Sequence, residues 1–511
     1  MAPGVHSVAL SNIRPPNVSP RTFDAFLNAC IAAVGKDWVK TSEQDVEPYG
    51  RDAIPFGSDV HMPSAAICPQ SIEEVRAVVA AAHEARVPLW PTSTGRNIGY
   101  GASSVADRGT VVLDMRRMNR IMDFDPDLGT VVVEPGVTYQ QLQDFIKQSG
   151  HDFWLDFPGP GPIVSPMGNT LERGHGVTPY GDHFAHSCGY EVLLSDGTVF
   201  RTGMGGIKDS GSWQAFRYGY GPTLDGIFTQ SNFGIVTKMG IWLMPAPASH
   251  KTIIAHWPND GDIVRLTNAV RGLRLDGTIP NEGVMGNATI FLAATKRRAE
   301  VFSDTRQSIP LELPIAEMKK AGLGAWNYVF TLYGRPDRVE SDWQEVKKRL
   351  EDSGASLIPD AKDEQQVNEL TLKSFALFNW IGGGGLAWCG PVSPMRGADM
   401  QRQFAISRDV MGKHGIDFMV GTAFGERSAL NVMPLLYDRN DADQMARAQA
   451  CYGELIDRLS AAGFGMYRTS IGYMDQVART FGAPNLEVNR RVKRALDPHG
   501  IIAPGKSGIR I

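Results

Sequence analysis

The sequence predicts an α+β protein of two domains, the second inserted into the first. Three observations carry that expectation. At 511 residues the chain is longer than one ordinary hydrophobic core serves. Between about Ser64 and Pro245, short strand-like runs alternate with capped helical runs. From about Ala248 to Phe464 longer polar helices take over, and the dense glycine usage of the first region then returns in GFGMYRTSIGYMDQV and HGIIAPGKSG. The expected divisions are 1–247 for the first domain, 248–464 for the insert and 465–511 for the return.

The elements follow from local chemistry. SAAICP reads as a strand; Ser71 and Glu74 then form an S-x-x-E capping signal, satisfying N–H groups that a helix start leaves unpaired. Ile72, Val75, Val78, Val79 and Ala82 recur at helical spacing to about Glu84. VPLWPTS, GTVVLDM and GTVVVEPG read as strands, and Thr138 with Gln141 repeats the cap before a helix that stops near Gly150. In the insert, SDWQEVKKRLEDSG reads as a helix and GAWNYVFTLYG as a strand.

Composition excludes several classes of function. A formal net charge of −4 is no footprint for nucleic acid or an acidic membrane surface, and no apolar run has the length of a membrane span. The first residues lack a charged segment followed by an apolar one, so no export signal is expected. Five scattered cysteines without a C-x-x-C pair point to reduced thiols, with the cytoplasm as the expected compartment.

Two glycine-rich loops carry the chemistry. PTSTGRNIGYG, Pro91 to Gly101, lies between strands with glycines spaced G-x3-G-x-G, neither a dinucleotide fingerprint nor a P-loop. Alone it is a tight turn; its small residues also suit a bent loop that aims successive N–H groups at an anion. PMGNTLERGHGVTPYGDH, Pro166 to His183, is a second such loop, and the pair suits a large ligand with an extended pyrophosphate. Within it His175, Asp182, His183 and His186 have the look of a metal run, but no distal ligand is evident and no metal is expected.

Taken in order, GRNIGYG, VVVEPGVTY, GNTLERGHGVTPYGDH, GYGPTLDGIFTQSNFGIVTKMGIWLMP, MYRT and DPHGIIAPGKSG resemble the 4-phenol oxidising group of the vanillyl-alcohol oxidase and p-cresol methylhydroxylase (PCMH) family. The resemblance spans nearly the whole chain, and GAWNYVFTLYG and NWIGGGG look closest to the p-cresol methylhydroxylase flavoprotein. It implies a PCMH-type FAD-binding domain of two α+β subdomains, with an α+β cap domain over the flavin ring. It gives Thr94, Gly95, Arg96, Asn97, Gly168, Asn169, Arg173, Tyr180, Gly181, Gly234, Ile235, Val236, Trp380 and Lys506 FAD-contacting roles. It also implies that Tyr100, Tyr467 and Arg468 grip a phenolic oxygen. The chemistry is coherent, because two phenolic donors and a permanent cation favour a phenolate. A phenolate pushes electron density through its ring, so a hydride can leave the para-benzylic carbon towards flavin N5 and leave a p-quinone methide. The family further implies a homodimer.

The chain departs from the family in two places. Where members tether FAD through a histidine beyond N-W, this chain has Leu386; where the p-cresol methylhydroxylase flavoprotein uses a tyrosine before N-W, it has Phe378. Neither side chain can form the bond, so FAD is expected to be held non-covalently against FNWIGGGGLAWCG, with Cys389 a buried core cysteine. The oxidases also place an aspartate over the reacting carbon; the matching positions here, Gly159 or Pro160, have no carboxylate, and Asp156 matches a different aspartate. Hydroxylation, desaturation and alcohol oxidation therefore all stay open. Dioxygen is the expected electron acceptor. A cytochrome c partner is the alternative, with its haem on another chain because C-x-x-C-H does not occur here. A non-catalytic flavin-binding protein is the remaining reading.

Overall fold

The structure, a computed structural model, describes residues 13–57, 59–159, 161–361 and 376–511, except the side chain of Ala376. Pro160 and most of the N-terminal stretch read for an export signal lie outside the described residues. Among the described residues no helix is long and apolar enough to cross a membrane.

The first sheet takes β1 (Val39–Lys40), β2 (Ala66–Ile67), β3 (Leu89–Thr92) and β4 (Val111–Asp114) in the order β1-β2-β4-β3. The pairs β2/β4 and β3/β4 are parallel, aligning Ala66 with Val112 and Leu89 with Val111. Such strands are covered on their faces and read as unbroken aliphatic runs, as Val111, Val112 and Leu113 of β4 do. Helices Pro20–Val34 and Ile72–Ala85 supply cover through Phe23, Phe26, Val75, Val78 and Val79. Ser71 caps the second of these helices as expected, while the Glu74 carboxylate reaches one residue further back, to Gln70 N at 2.8 Å.

The second sheet is antiparallel, ordered β5-β6-β10-β8-β9 from β5 (Ile121–Asp125), β6 (Thr130–Val133), β8 (Ser187–Leu193), β9 (Val199–Arg201) and β10 (Ile235–Trp242). A two-stranded ribbon, β7 (Phe153–Trp154) with β11 (Met244–Pro245), lies beside it in sequence. The capping box of Thr138 and Gln141 starts helix Tyr139–Ser149, which ends at Gly150 in the left-handed region and buries Leu142 and Ile146 against Val131, Val133 and Val192.

The insert is one antiparallel sheet of eight strands: β12 (Ser249–Trp257), β13 (Val284–Asn287), β14 (Trp326–Gly334), β15 (Ser356–Ile358), β16 (Gly384–Pro394), β17 (Gly421–Phe424), β18 (Ser428–Asp438) and β19 (Met466–Arg468), ordered β15-β12-β14-β13-β17-β18-β16-β19. Helices Ile263–Leu275, Pro336–Asp352, Gly397–Lys413 and Ala442–Ala461 contribute to one large core with one face of this sheet. The other face presents Ile254, Val329, Val284, Ala423, Leu430 and Val432 to a cavity. Because β19 completes this sheet, the insert's hydrogen bonding runs past residue 464 to Arg468 before the chain turns back.

The return is stitched in by backbone. Leu89 N donates to Ile501 O and Ala503 N donates to Leu89 O, both at 2.7 Å, so the C-terminal segment extends the edge of the first sheet. Beneath it the Lys493 ammonium, 1% exposed, meets Asp497 at 2.7 Å and donates to the carbonyls of Asn232 and Ile502. Asp497 in turn accepts from Ile501 N and Ile502 N. Removing one member of such a pair leaves an uncompensated buried charge. Lys493→Met is therefore expected to cost about 3–5 kcal/mol of stability, read as a lowered midpoint in urea unfolding.

Candidate active site

A cavity of about 990 Å³ lies where both sheets of the first domain meet the open face of the insert, at the upper end of ligand-pocket sizes. One side is the loop after β3. Gly99 (φ +79°) is obligatory there, because a Cβ would come 2.5 Å from the Trp388 ring. Trp388 N and Nε1 donate to the carbonyls of Gly99 and Ile98, fastening the loop to β16. Among the described residues the N–H groups of Thr94, Gly95, Arg96 and Asn97 find no acceptor, which leaves successive donors at the cavity wall.

At the insert end three predicted residues converge from positions more than 360 apart. Tyr100 and Tyr467 bring their hydroxyls within 3.4 Å, and the Arg468 guanidinium lies 4.0 Å from the centre of the Tyr100 ring. Ile471 N donates to Tyr100 O at 3.0 Å, holding the two segments together. Arg468 also donates to Asn97 Oδ1 and sits 3.5 Å from Glu172, whose other oxygen takes the Lys506 ammonium. Burial resists ionisation of Glu172, but Lys506 and Arg468 outweigh it and hold the carboxylate below its usual pKa. Burial likewise resists the Arg468 charge, while Glu172, Tyr100 and Tyr467 keep it protonated. Burial and then Tyr467 push the Tyr100 phenol well above 10, against the pull of Arg468, so Tyr100 is a donor at neutral pH. Two cations sharing one carboxylate leave a net positive charge beside the paired hydroxyls.

Of the residues named from sequence, Thr94, Gly95, Arg96, Asn97, Tyr100, Gly168, Asn169, Gly234, Ile235, Val236, Tyr467, Arg468 and Lys506 share this wall. Four others do not. Arg173 turns its Nε to Thr229 Oγ1, and Tyr180 stacks on His186 with ring centres 4.0 Å apart; Gly181 closes a turn by donating to Thr178 O. Trp380, expected against the flavin, is 1% exposed and donates to Asp417, which also binds Arg298. Trp388, from the same glycine-rich stretch, is on the wall instead, as is Trp90 of β3.

Strand alternation places Trp388 on the wall. In β16, Leu386, Trp388 and Gly390 point to the side of the first domain, where Leu386 and Trp388 abut Gly99 and the space over Gly390 is filled by the Tyr467 ring. Ala387 and Cys389 point to the opposite core, where Cys389 is fully buried 3.8 Å from Met466 Sδ and burial raises its thiol pKa. The opening glycines have separate tasks: Gly383 and Gly384 take φ of +69° and +71° at the start of the strand, while Gly385 is backed by Tyr437.

The residues of the metal-like run have separate partners. His175 pairs with Glu282 at 3.2 Å, His183 with Asp156 and Asn169, and His186 with Asp182 O. Asp156 itself accepts from Val177 N and Thr178 N and so braces the second glycine loop. Glu172 and Glu282 were missed from sequence; the only signal for Glu172 was its place in ERGHG.

Comparison with known proteins accounts for this wall. Residues 63–203 match the FAD binding domain and residues 316–507 the C-terminal domain of FAD-linked oxidases. The flavoprotein subunit of 4-cresol dehydrogenase (hydroxylating) from Pseudomonas putida is 38% identical over 509 residues, covering 97% of this chain and 98% of that protein. A structure of p-cresol methylhydroxylase with substrate bound superposes with a TM-score of 0.95 at 37% identity, covering 98% of this chain and 99% of that one. The chain belongs to the p-cresol methylhydroxylase/vanillyl-alcohol oxidase family. A 4-ethylphenol oxidase from Gulosibacter chungangensis, solved with isoeugenol, is 32% identical at a TM-score of 0.92, covering 97% of this chain and 99% of that one.

As a member of this family the protein is an FAD-dependent oxidoreductase. The wall fits the cofactor: the unpaired N–H groups from Thr94 to Asn97 suit a pyrophosphate, and Ser231 Oγ on the same wall is buried without a partner. Because Cys389 faces away, Cys389→Ala is expected to leave the visible flavin spectrum unchanged. Its effect falls on the insert's core, about 1–2 kcal/mol lost in thermal unfolding.

Proposed function

We propose that this flavoprotein oxidises para-substituted phenols, 4-alkylphenols or 4-hydroxybenzylic alcohols, with dioxygen as electron acceptor. The observation that carries the reading is the convergence of Tyr100, Tyr467 and Arg468 beside the shared Glu172 carboxylate. Two hydroxyls and a net positive charge in a buried site favour the ionised form of a bound phenol, which water would leave protonated at neutral pH. Tyr100, kept protonated, donates to the phenolate oxygen; Arg468 balances its charge. FAD, when bound, would supply the two-electron acceptor for a hydride from the para-benzylic carbon, the substrate becoming a p-quinone methide. The chain's own part is to hold the phenolate so that its para carbon is electron-rich, in a cavity whose insert side is aliphatic.

FAD is held without a covalent bond in this reading. Leu386 and Phe378 offer only hydrocarbon, and Cys389 lies on the far face of β16. Acid precipitation is expected to release all of the flavin to the supernatant, whereas a covalent adduct would stay with the pellet. A second reading, electron transfer to a cytochrome, is supported by the 38% identity to a flavoprotein subunit of 4-cresol dehydrogenase. The 4-ethylphenol oxidase supports the first.

Anaerobic mixing with 4-ethylphenol is expected to bleach the flavin, and admission of air to restore its colour within the turnover time. Slow recolouring in air with fast recolouring by an added cytochrome would select the second reading. Arg468→Ala is expected to retain FAD and to slow bleaching about 10²–10³-fold, the cost of losing one charge-stabilising donor; bleaching at the parent rate would refute the phenolate grip.

A further inference from the structure

The oxidised substrate needs a proton acceptor if water is to add to it, and the matching carboxylate position holds none at Gly159. The titratable side chains on the described cavity wall are Arg96, Tyr100, Glu172, His175, Tyr467, Arg468 and Lys506. Three are cations, Tyr100 stays protonated, and Glu172 is shared by Lys506 and Arg468. The insert's face opposite contributes Ile254, Val329, Val284, Ala423, Leu430 and Val432, none of which accepts a proton.

His175 is different. Its Nδ1 is 3.2 Å from Glu282 Oε2, and among the described residues no group bonds its Nε2. Its ring meets the Tyr467 ring edge-on with centres 6.3 Å apart, so it stands on the cavity wall directly beside the tyrosine that grips the phenolic oxygen. Both halves of the pair are braced. Gly176 N donates to Gly181 O, Asp156 takes Val177 N and Thr178 N, and Asn281 Nδ2 ties the two loops by donating to Val177 O at 2.6 Å. Tyr328 Oη fixes the Glu282 carbonyl at 3.1 Å.

We propose that His175, oriented by Glu282, is the general base of this site, its Nε2 taking a proton from the water that adds to the para-benzylic carbon of the oxidised substrate. The inference rests on the phenol-oxidising reading above. A water oxygen lone pair forms the new C–O bond. The exocyclic double-bond electrons return to the ring, whose carbonyl oxygen becomes a phenolate held by Tyr100, Tyr467 and Arg468. Nε2 keeps the water's proton until it passes to solvent, and the product is a 4-hydroxybenzylic alcohol. Glu282 is a positioning residue: a carboxylate on Nδ1–H fixes the tautomer with Nε2 as acceptor.

Burial disfavours the imidazolium, but the hydrogen bond and charge of Glu282, then Asp182 and Asp156, outweigh it and raise the His175 pKa. Tyr467 is the other titratable group against the ring. The neutral imidazole is the acting form, so water addition falls as the pH drops through that raised pKa. Replacing Glu282 lowers the pKa and moves the fall to lower pH.

The test is the product ratio from 4-ethylphenol. The oxidised substrate either adds water, giving 1-(4-hydroxyphenyl)ethanol, or loses a methyl proton, giving 4-vinylphenol, and the ratio is independent of how much active enzyme a variant retains. His175→Ala is expected to lower the alcohol-to-vinyl ratio about ten-fold or more. Glu282→Gln is expected to lower it less and to shift its acid limb to lower pH. If H175A does not retain FAD, the ratio is read from His175→Gln, with the same expectation. An unchanged ratio in the His175 variant, or bleaching of the parent enzyme with no alcohol formed, would overturn the proposal. No bleaching of the parent by any para-substituted phenol would overturn the substrate reading instead.

Discussion

The carboxylate of Glu172 is the point through which the cavity is assembled. It follows the short helix Pro166–Leu171 of the first domain, yet its partners come from elsewhere: Arg468 from the last strand of the insert and Lys506 from the C-terminal return. A buried guanidinium is costly alone and tolerable when paired. The pairing makes the insert and the C-terminal segment commit to positions around one anion. Because two cations answer one carboxylate, the surplus positive charge is left beside Tyr100 and Tyr467. Structural cohesion and the preference for an anionic ligand thus come from the same three side chains.

The second constraint is the two-residue period of β16. Trp388 and Leu386 press on the loop that carries Tyr100, and the bare face of Gly390 admits the Tyr467 ring. The intervening Ala387 and Cys389 belong to another core. A one-residue slip in the pairing with β18, where Leu386 faces Leu436 and Ala387 faces Leu435, would exchange these roles. The wall residues and the insert's packing are therefore set by one register.

Much of this was legible in the sequence, for identifiable reasons. Caps and aliphatic runs are local, so the helices at Ile72 and Tyr139 and the strands at Leu89, Val111 and Thr130 could be read directly. The strand Ile121–Asp125 was missed because its face is half-exposed and its residues mix charge with apolar groups. Tyr100, Tyr467 and Arg468 were legible through motif resemblance, not spacing, since hundreds of residues separate them. Trp380, read from the NW pair as lying on the flavin, has its indole drawn into the Arg298–Asp417 ion pair and stands off the cavity wall, a contact that no local pattern announces. Glu282 was illegible altogether, because its partner His175 lies 107 residues away and only the sheet topology unites them.

The seam at the C-terminus bears on how the protein is made. Leu89 and Ile502 pair in a parallel bridge although more than 400 residues of synthesis separate them, and Lys506, on the cavity wall, is made later still. A chain emerging from the ribosome can fold its first sheet early, but the edge at β3 and the charge balance of Glu172 wait for the segment from Ile501 to Lys506. A site with both cations around Glu172 therefore exists only once the segment through Lys506 has been made and has docked, so early folding of the first sheet leaves the cavity open on that side.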